Sequence, residues 1–180
     1  MKFTETYLKG SYILEIDKLV DDRGFFGRLW CSEQAKKYNL NTNIVQSNVS
    51  FSKHKGTLRG LHFQKEPYQE TKLVRCTKGA VYDVIVDLRP ESPTFKKWFG
   101  VELTENNYKM IYVPENFAHG FITLEPNSEV YYLVTEFYNK DAEGGIKWND
   151  KEINIKWPIS VSEISDRDKS HPDFDIKNII

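Results

Sequence analysis

Histidines are the residues of this sequence best suited to move protons near neutral pH, and two of the four lie inside apolar segments. His62 is part of LRGLHFQ, and His119 is part of NFAHGFITL. His54 in SKHKG and His171 in DKSHPDF lie in polar segments, where we expect both side chains to be solvated. Imidazole has a pKa of about 6.5, which makes it the usual general acid or base. A buried histidine is more often a hydrogen-bonded structural residue than a catalyst. The sequence therefore leaves a structural and a catalytic role open for both His62 and His119.

An arginine lies three residues before His62, in the segment GTLRGLHFQ. Successive side chains of a strand point to opposite faces, so a regular strand would point Arg59 and His62 in opposite directions. Both side chains can reach one cavity only if the strand twists or bulges, and Gly60 permits this. A regular strand through Gly60 would place Arg59 on the outer face and outside the site.

Charged side chains near other predicted strands could support a catalytic histidine. An aspartate can fix the tautomer of a histidine and stabilise its charged form. Asp83 and Asp87 lie on the predicted strand 81–88, where a carboxylate needs a partner, and they fit a structural and a supporting catalytic role equally well. Lys72 precedes an apolar run. It is either a strand-edge solubility residue or a positive charge directed into a cavity.

The sequence lacks the motifs of several other chemistries. A jelly-roll metal site usually takes two ligands from a His-x-His pair, but residue 64 is Gln, which disfavours a metal. The sequence contains no glycine-rich phosphate loop and no Gly-x-Ser-x-Gly elbow. Cys31 and Cys76 are too few for a disulfide framework or a structural zinc site, so we expect two ordinary thiols. General acid–base catalysis by His, Tyr, Asp and Lys remains.

The composition is that of a soluble globular chain, with 180 residues, 39% hydrophobic and 28% charged. The formal net charge of −1 argues against broad nucleic-acid affinity, although a local cluster of cations could bind an anionic ligand. No apolar run approaches the ~18 residues of a membrane span, and MKFTETYLKG lacks the apolar core of a signal peptide. We therefore expect a cytoplasmic protein with no membrane or nucleic-acid partner. The sequence has no repeat or linker, which predicts a single domain over residues 1–180.

Short segments rich in β-branched and aromatic residues alternate with turn residues along the chain. One spans residues 81–88, three follow residue 108 around the turns PEN and PNS, and two lie in GSYILEIDKLVDDRGFFGRLW. CSEQAKKYNL predicts a short helix with Ser32 as its cap. About ten such strands predict an antiparallel two-sheet sandwich or jelly roll, a fold that holds ligands in its mouth.

Six segments carry a resemblance to a known enzyme family. In chain order they are DDRGFFGRLW, QSNVSFSKHKGTLRGLHFQ, TKLVRCTKGAVYDVIVDLRPESPTFKKW, IYVPENFAHGFITL, EVYYLVTEFY and GGIKWNDKEINIKWP. Together they resemble the dTDP-4-dehydrorhamnose 3,5-epimerases, over roughly residues 21–168. The resemblance implies an all-β, cupin-like antiparallel double-sheet jelly roll with short flanking helices. It also implies a homodimer, in which residues 23–28 would reach the cavity of the partner.

The resemblance implies a substrate and catalytic residues. The substrate is a nucleoside-diphosphate 4-keto-6-deoxysugar, foremost dTDP-4-dehydro-6-deoxyglucose, inverted at C3 and C5 without a metal or redox cofactor. His62 matches the base that removes the proton, and Asp168 in SDRDK matches the aspartate that orients it. Lys72 matches the cation that stabilises charge on the C4 oxygen. Tyr132 matches the acid that returns a proton from the opposite face.

Binding residues follow from the same resemblance. Arg59 is suited to a diphosphate by its forked donors, and Phe26 or Tyr138 could stack on the base, although core roles fit these two aromatics equally well. Two positions depart from the family's pattern. Arg28 stands where most members have Glu, which leaves the nucleotide and sugar open, and Arg167 replaces the Lys of an SxKD motif. The implied substrate-binding residues are Arg23, Phe26, Arg28, Gln46, Ser47, Asn48, Arg59, His119, Tyr138, Glu143 and Arg167.

Three alternatives stay open. The first is an epimerase that inverts C3 or C5 alone, or one that uses a CDP, GDP or UDP sugar. The second is a sugar-nucleotide 3,4-ketoisomerase; such enzymes carry a second histidine two residues after the first, where this chain has Gln64. The third is a non-catalytic cupin that binds sugar nucleotides. The combination of His62, Lys72, Tyr132 and Asp168 argues against this third alternative, because binding alone needs no base and acid pair.

Overall fold

Strands make up most of the regular secondary structure in a computed structural model, which describes residues 1–178. In chain order the strands are β1 (Lys2–Glu5), β2 (Tyr12–Glu15), β3 (Leu19–Asp21), β4 (Gly24–Phe26), β5 (Gln46–Ser52), β6 (Thr57–Gln64), β7 (Lys72–Lys78), β8 (Ala80–Asp87), β9 (Trp98–Thr104), β10 (Met110–Val113), β11 (Phe117–Thr123), β12 (Ser128–Val134), β13 (Glu143–Gly145) and β14 (Glu163–Ile164). The helices are α1 (Ser32–Lys36), α2 (Asp166–Lys169) and a 3₁₀ helix (Ile176–Asn178). Within the described residues every helix is too short to span a bilayer.

Two antiparallel sheets form the body of the fold. The first has the order β1-β2-β10-β7-β12-β5, and the second has the order β13-β6-β11-β8-β9. Strand β14 joins the second sheet by pairing in parallel with β6, and β3 and β4 form a separate hairpin. Neighbours in each sheet come from distant parts of the chain, as in a jelly roll. This architecture confirms the predicted all-β double-sheet jelly roll with short helices.

The main core lies between the two sheets. Val74 and Ile111 of the first sheet pack in one buried cluster with Ile85, Leu103 and Phe121 of the second. Strands that alternate apolar and polar residues place every second side chain in this layer. At one end of the layer the inward positions are polar, and these positions form the site described below.

Most of the predicted strands are present. Residues 81–88 lie in β8 and its immediate continuation, and the segment after residue 108 forms β10, β11 and β12. The intervening turns place Asn116 and Asn127 at positive φ, a conformation that asparagine tolerates well. The prediction for Ser32 is wrong: Cys31 is the N-cap and makes no side-chain capping bond, while Ser32 is already helical. GSYILEIDKLVDDRGFFGRLW holds three strands instead of two, because β3 and β4 form their own hairpin.

Strand β6 bulges at Gly60, which decides between the bulged and the regular strand that the sequence leaves open. His62 pairs with His119 and Arg59 pairs with Phe121, so two residues of β6 lie opposite the single Gly120 of β11. Gly60 has a φ of 120°, and a Cβ at this position would lie 2.6 Å from the Cα of Gly120. Only glycine fits this backbone and this close approach. The extra residue changes the alternation of side chains along β6.

Candidate active site

A cavity of about 250 Å³ opens between the sheets at the polar end of the core. Because of the bulge in β6, Arg59 and His62 both line it. Tyr132 of β12 and Lys72 of β7 line it from the opposite sheet, and Asp168 of α2 closes one side. A second cavity of about 460 Å³ shares His62, Lys72 and Tyr132 with the first, so the two form one continuous site.

His62 and Asp168 form a hydrogen-bonded pair. Strand β14 pairs with β6, and this brings the following helix α2 against the bulge. Ser165 caps α2 by accepting a hydrogen bond from Asp168 N at 3.1 Å. The Asp168 carboxylate then contacts His62 Nε2 through Oδ1 at 2.8 Å and accepts a hydrogen bond from Gly60 N through Oδ2 at 3.1 Å. Burial raises the pKa of Asp168, but the hydrogen bond and charge of His62, with the Gly60 bond, lower it below its usual value overall.

Tyr132 and Lys72 face His62 from the first sheet. Lys72 forms an ion pair with Glu70, with 3.1 Å between Nζ and Oε1, and both side chains are nearly buried. Burial raises the pKa of the Tyr132 phenol, and the negative charge of Glu70 raises it further, although Arg59 opposes this. Tyr132 therefore stays protonated at neutral pH. The site presents an imidazole on one sheet and a phenol and an ammonium group on the other.

His119 forms a second His–Asp pair beside the first. Its Nε2 lies 2.8 Å from Oδ2 of Asp83, whose side chain is fully buried in β8. His119 also lines the cavity, so Asp83 supports a residue of the site. Asp87 accepts hydrogen bonds from the side chains of Arg89, Ser92 and Thr94 instead, away from the cavity. Of the two aspartates of β8, Asp83 thus contacts a residue of the site, whereas Asp87 belongs to a hydrogen-bond network that stabilises the fold.

Polar side chains at the wide end of the site hold one another in place. Tyr138 donates its hydroxyl to Glu143 Oε2 at 2.8 Å, and Arg167 forms an ion pair with the same carboxylate. Gln46 Oε1 accepts the backbone N–H of Tyr138 at 3.1 Å, and Asn48 lines the same cavity. This end therefore offers an aromatic ring, an arginine and amide groups, which can bind a planar, polar ligand.

Arg59 is fixed in the wall of the first cavity. Its Nε donates to Ser52 Oγ at 3.2 Å, and its Nη2 donates to the carbonyl oxygen of Phe51 at 2.9 Å. The arginine has no acidic partner within 4 Å among the described residues. Its charge is therefore available to an anionic group.

Comparison with known proteins agrees with these features. A family model described as dTDP-4-dehydrorhamnose 3,5-epimerase matches residues 5–175 of the chain. The chain belongs to this epimerase family. A dTDP-4-dehydrorhamnose 3,5-epimerase of Shigella flexneri is 44% identical over 169 residues, which cover 93% of each protein.

Two solved structures of the epimerase family share the fold over almost the whole chain. One, from Elizabethkingia anophelis NUHP1, is 41% identical with a TM-score of 0.95, covering 99% of this chain and 98% of that one. The other, from Bacillus anthracis, has TDP and PPi bound. It is 45% identical with a TM-score of 0.92, covering 96% of this chain and 99% of that one. The resemblance found in the sequence is thus confirmed.

Four residues implied by the family resemblance lie away from the cavities of this chain. Ser47 is on β5 between Gln46 and Asn48, so it points to the opposite, exposed face of the strand. Arg23, Phe26 and Arg28 are exposed on or beside the β3–β4 hairpin, and Arg23 pairs with its neighbour Asp21. None of the four lines either cavity of the single chain.

Two side chains that contact residues of the candidate site, Glu70 and His171, are not among the residues predicted from the sequence. Glu70 lies in a loop before β7, and its sequence context carries no sign of burial. The sequence predicts a solvated His171, but its ring packs against His62 and its side chain is only 12% exposed. The reason is α2: this helix and its last turn place residues 168 and 171 on the same side. The spacing Asp-x-x-His is the signal that identifies this neighbour, once a helix is predicted there.

The remaining histidine and the cysteines follow the expectations. His54 is exposed in the turn between β5 and β6. Both cysteines are free, Cys31 being half-buried and Cys76 buried. Burial raises the pKa of the Cys76 thiol to about 11, so this thiol is unreactive at neutral pH.

Proposed function

We propose that the chain inverts C3 and C5 of a nucleoside-diphosphate 4-keto-6-deoxysugar, foremost dTDP-4-dehydro-6-deoxyglucose, to give dTDP-4-dehydrorhamnose. The observation that carries this proposal is the arrangement of His62 with Asp168 on one sheet and Tyr132 on the other, across one cavity. Inversion of a carbon centre needs a base and an acid on opposite faces of the sugar. The family relationship supports the same activity.

His62 is the proposed base. The C4 ketone of the substrate acidifies the hydrogens on C3 and C5, since the resulting carbanion is delocalised onto the ketone oxygen as an enolate. The Nε2 of His62 is hydrogen-bonded to Asp168. Nδ1 is therefore the nitrogen that accepts the proton from the substrate carbon. Asp168 then stabilises the imidazolium that forms.

Lys72 is the proposed partner of the enolate oxygen. A positive charge that is held in position before the reaction stabilises the developing oxyanion, which is worth about 3–4 kcal/mol in comparable sites. Glu70 holds the ammonium group through the ion pair. This pairing restricts the flexible lysine side chain to the cavity wall.

Tyr132 is the proposed acid. It protonates C3 or C5 from the face opposite to His62, because it belongs to the opposite sheet. Each inversion moves one proton from carbon to His62 and one from Tyr132 to carbon. The enzyme returns to its starting state when the imidazolium releases a proton and the phenolate regains one, both by exchange with water.

The wide end of the site is proposed to bind the nucleotide. Tyr138 can stack on the base, while Arg167, Gln46 and Asn48 supply polar contacts. Arg59 lines the first cavity together with the catalytic groups, where its forked donors suit the diphosphate. The related structure from Bacillus anthracis contains TDP, which supports a thymidine nucleotide.

A homodimer is proposed to complete the site. The β3–β4 hairpin exposes several large apolar side chains, with Leu19 at 67%, Val20 at 76% and Phe26 at 65%. Such a surface favours burial against a second chain. In the dimer, Arg23 and Phe26 would contact substrate in the cavity of the partner. Mixing two inactive variants, Arg23→Ala and His62→Ala, should restore activity in mixed dimers, and no recovery would contradict the shared site.

The substrate class also supports a location. Nucleoside-diphosphate sugars are charged and do not cross a membrane unaided. We therefore propose that the chain works in the cytoplasm.

Deuterium exchange tests the proposed function. Incubation of the chain with dTDP-4-dehydro-6-deoxyglucose in D₂O should place deuterium at C3 and C5, as followed by NMR. His62→Ala should lose this exchange, whereas His54→Ala, a matched change of an exposed histidine, should retain it. Exchange at one carbon alone would identify a narrower epimerase. Absence of exchange with this substrate and with its CDP, GDP and UDP analogues, despite tight binding, would identify a binding protein and refute the proposal.

A further inference from the structure

A third ionisable side chain lies behind the His62–Asp168 pair. The ring of His171 packs edge-on against that of His62, with centroids 5.5 Å apart and an angle of 75° between the planes. Its Nε2 is 3.6 Å from Asp168 Oδ1, the oxygen that His62 Nε2 contacts at 2.8 Å. One oxygen of the Asp168 carboxylate thus lies close to a nitrogen of each of two imidazole rings.

The backbone around His171 holds the ring in this place. Lys147 N donates to the carbonyl oxygen of Pro172 at 2.9 Å, and Ser170 N donates to that of Asp166 at 3.1 Å. On the other side, the ring lies against Gly145 of β13, where any Cβ would overlap the imidazole. His171 therefore occupies a fitted position beside the carboxylate.

The Nε2 of His171 is buried and has no hydrogen-bond partner among the described residues. A distance of 3.6 Å to Asp168 is too long for a hydrogen bond. A buried polar atom without a partner costs free energy, and such atoms often mark the place of a ligand. The proposed epimerisation makes no use of this nitrogen.

We propose that His62, Asp168 and His171 form a binding site for a divalent transition-metal ion such as Zn²⁺. The three ligand atoms lie within 4.8 Å of one another. Zinc binds imidazole nitrogen and carboxylate oxygen at about 2.0–2.2 Å, which separates tetrahedral ligands by about 3.3 Å. The observed separations of 2.8 and 3.6 Å from Asp168 Oδ1 lie on either side of this value, and all three ligand atoms lie within 4.8 Å of one another, so side-chain shifts can bring them around one ion. Two histidines and one carboxylate favour Zn²⁺ over Mg²⁺ or Ca²⁺, which prefer oxygen ligands.

Metal binding at this site inhibits the epimerase, a consequence that rests on the proposed function. A metal on His62 Nε2 replaces the hydrogen bond to Asp168 and leaves the single proton of the neutral ring on Nδ1. Nδ1 is the nitrogen that must accept a proton from the substrate. The metal therefore removes the base while the substrate cavity stays open, and it lowers kcat more than it raises KM.

Calorimetry with Zn²⁺ alone tests the site directly. Titration of the full chain, freed of metal by a chelator, should give one strong site per chain, and Mg²⁺ should give none. His171→Phe, which keeps a ring beside Gly145, and His171→Asn should each weaken zinc binding by at least ~10-fold. His54→Phe should leave it unchanged. Equal binding by the wild type and both His171 variants, or absence of binding by the wild type, would overturn the proposal.

Histidine-ring NMR of the wild type provides a test without substitutions. Zinc should shift the signals of His62 and His171 and leave those of His54 unchanged; the opposite pattern would refute the site. An activity assay separates the two proposals. If zinc binds through His171 but no sugar exchange occurs with metal-free protein, the epimerase proposal fails and the metal site stands. If exchange occurs and zinc does not bind, the metal site fails alone.

Discussion

Replacing Asp168 by asparagine should abolish most of the activity, for a reason that the hydrogen bonds dictate. One carboxylate oxygen accepts the Gly60 N–H, and the other contacts His62 Nε2. The backbone N–H can only donate, so an asparagine must direct its carbonyl oxygen to Gly60 and its NH₂ group to His62. Nε2 must then accept a hydrogen bond, which moves the ring proton to Nδ1. The proposed base is thereby protonated on the nitrogen that faces the substrate.

The expected loss comes from the tautomer of His62, because Asp168→Asn keeps the size of a side chain that is only 6% exposed and changes which ring nitrogen carries the proton. A wrong tautomer in a serine protease triad lowers kcat by about 10⁴. We therefore expect kcat of Asp168→Asn to fall ~10³–10⁴-fold, equivalent to about 4–5.5 kcal/mol. KM should change little, because Asp168 acts through His62 and is not a proposed substrate-binding residue.

Asp83→Asn is a matched control for this experiment. Asp83 makes the same 2.8 Å contact with the neighbouring His119 and is equally inaccessible. Because His119 is not the proposed base, kcat should fall at least ~10-fold less than in Asp168→Asn. Both variants are assayed by deuterium incorporation at C5, with circular dichroism to confirm folding. A folded Asp168→Asn enzyme that loses less than ~10-fold in kcat, or no more than Asp83→Asn, would refute the assigned base nitrogen.

Four further changes have defined outcomes. Tyr132→Phe should still exchange hydrogen at C5, because His62 remains, but should lose inversion, and NMR of the recovered sugar distinguishes the two. Lys72→Met should lower kcat by about 10²–10³-fold, and an unchanged rate would exclude Lys72 as the oxyanion partner. Gly60→Ala should lower the melting temperature by several degrees, since its φ of 120° and the neighbouring strand leave no room for a Cβ. Burial raises the pKa of Asp87, but hydrogen bonds led by Arg89 lower it below its usual value overall. Its stabilising contribution is present above pH ~4 and is lost as the pH falls through the folded-state pKa, so acid unfolding followed by circular dichroism should be less steep in Asp87→Asn.

Strand positions could be predicted because local sequence decides them. The run in β8 is rich in β-branched residues, and the turns around Asn116 and Asn127 carry residues that accept positive φ. The bulge in β6 is one of two alternatives that the sequence leaves open: Gly60 permits it, and it is required only if Arg59 and His62 share one cavity. By contrast, the hairpin of β3 and β4 was missed, because its exposed apolar residues resemble those of a buried strand.

Contacts between distant residues could not be derived from spacing alone. His62 and Asp168 are 106 residues apart in sequence, and only the family resemblance paired them. His171 was misjudged because its polar neighbours are solvated while its own side chain turns inward from the end of α2. Ser47 matches a family motif, although the period of two along β5 directs it away from Gln46 and Asn48 and out of both cavities of the single chain.

The double-sheet architecture explains how an acid and a base can reach a bound sugar from opposite faces. Each sheet contributes inward side chains to one cavity, so groups on β6 and β12 approach a bound ring from opposite directions. A single sheet could place an acid and a base only on the same side of the substrate. The bulge at Gly60 brings Arg59, the proposed diphosphate ligand, into the same cavity as the proposed base, and both belong to β6. The distance between the proposed base and the proposed diphosphate ligand is therefore fixed by the backbone of one strand.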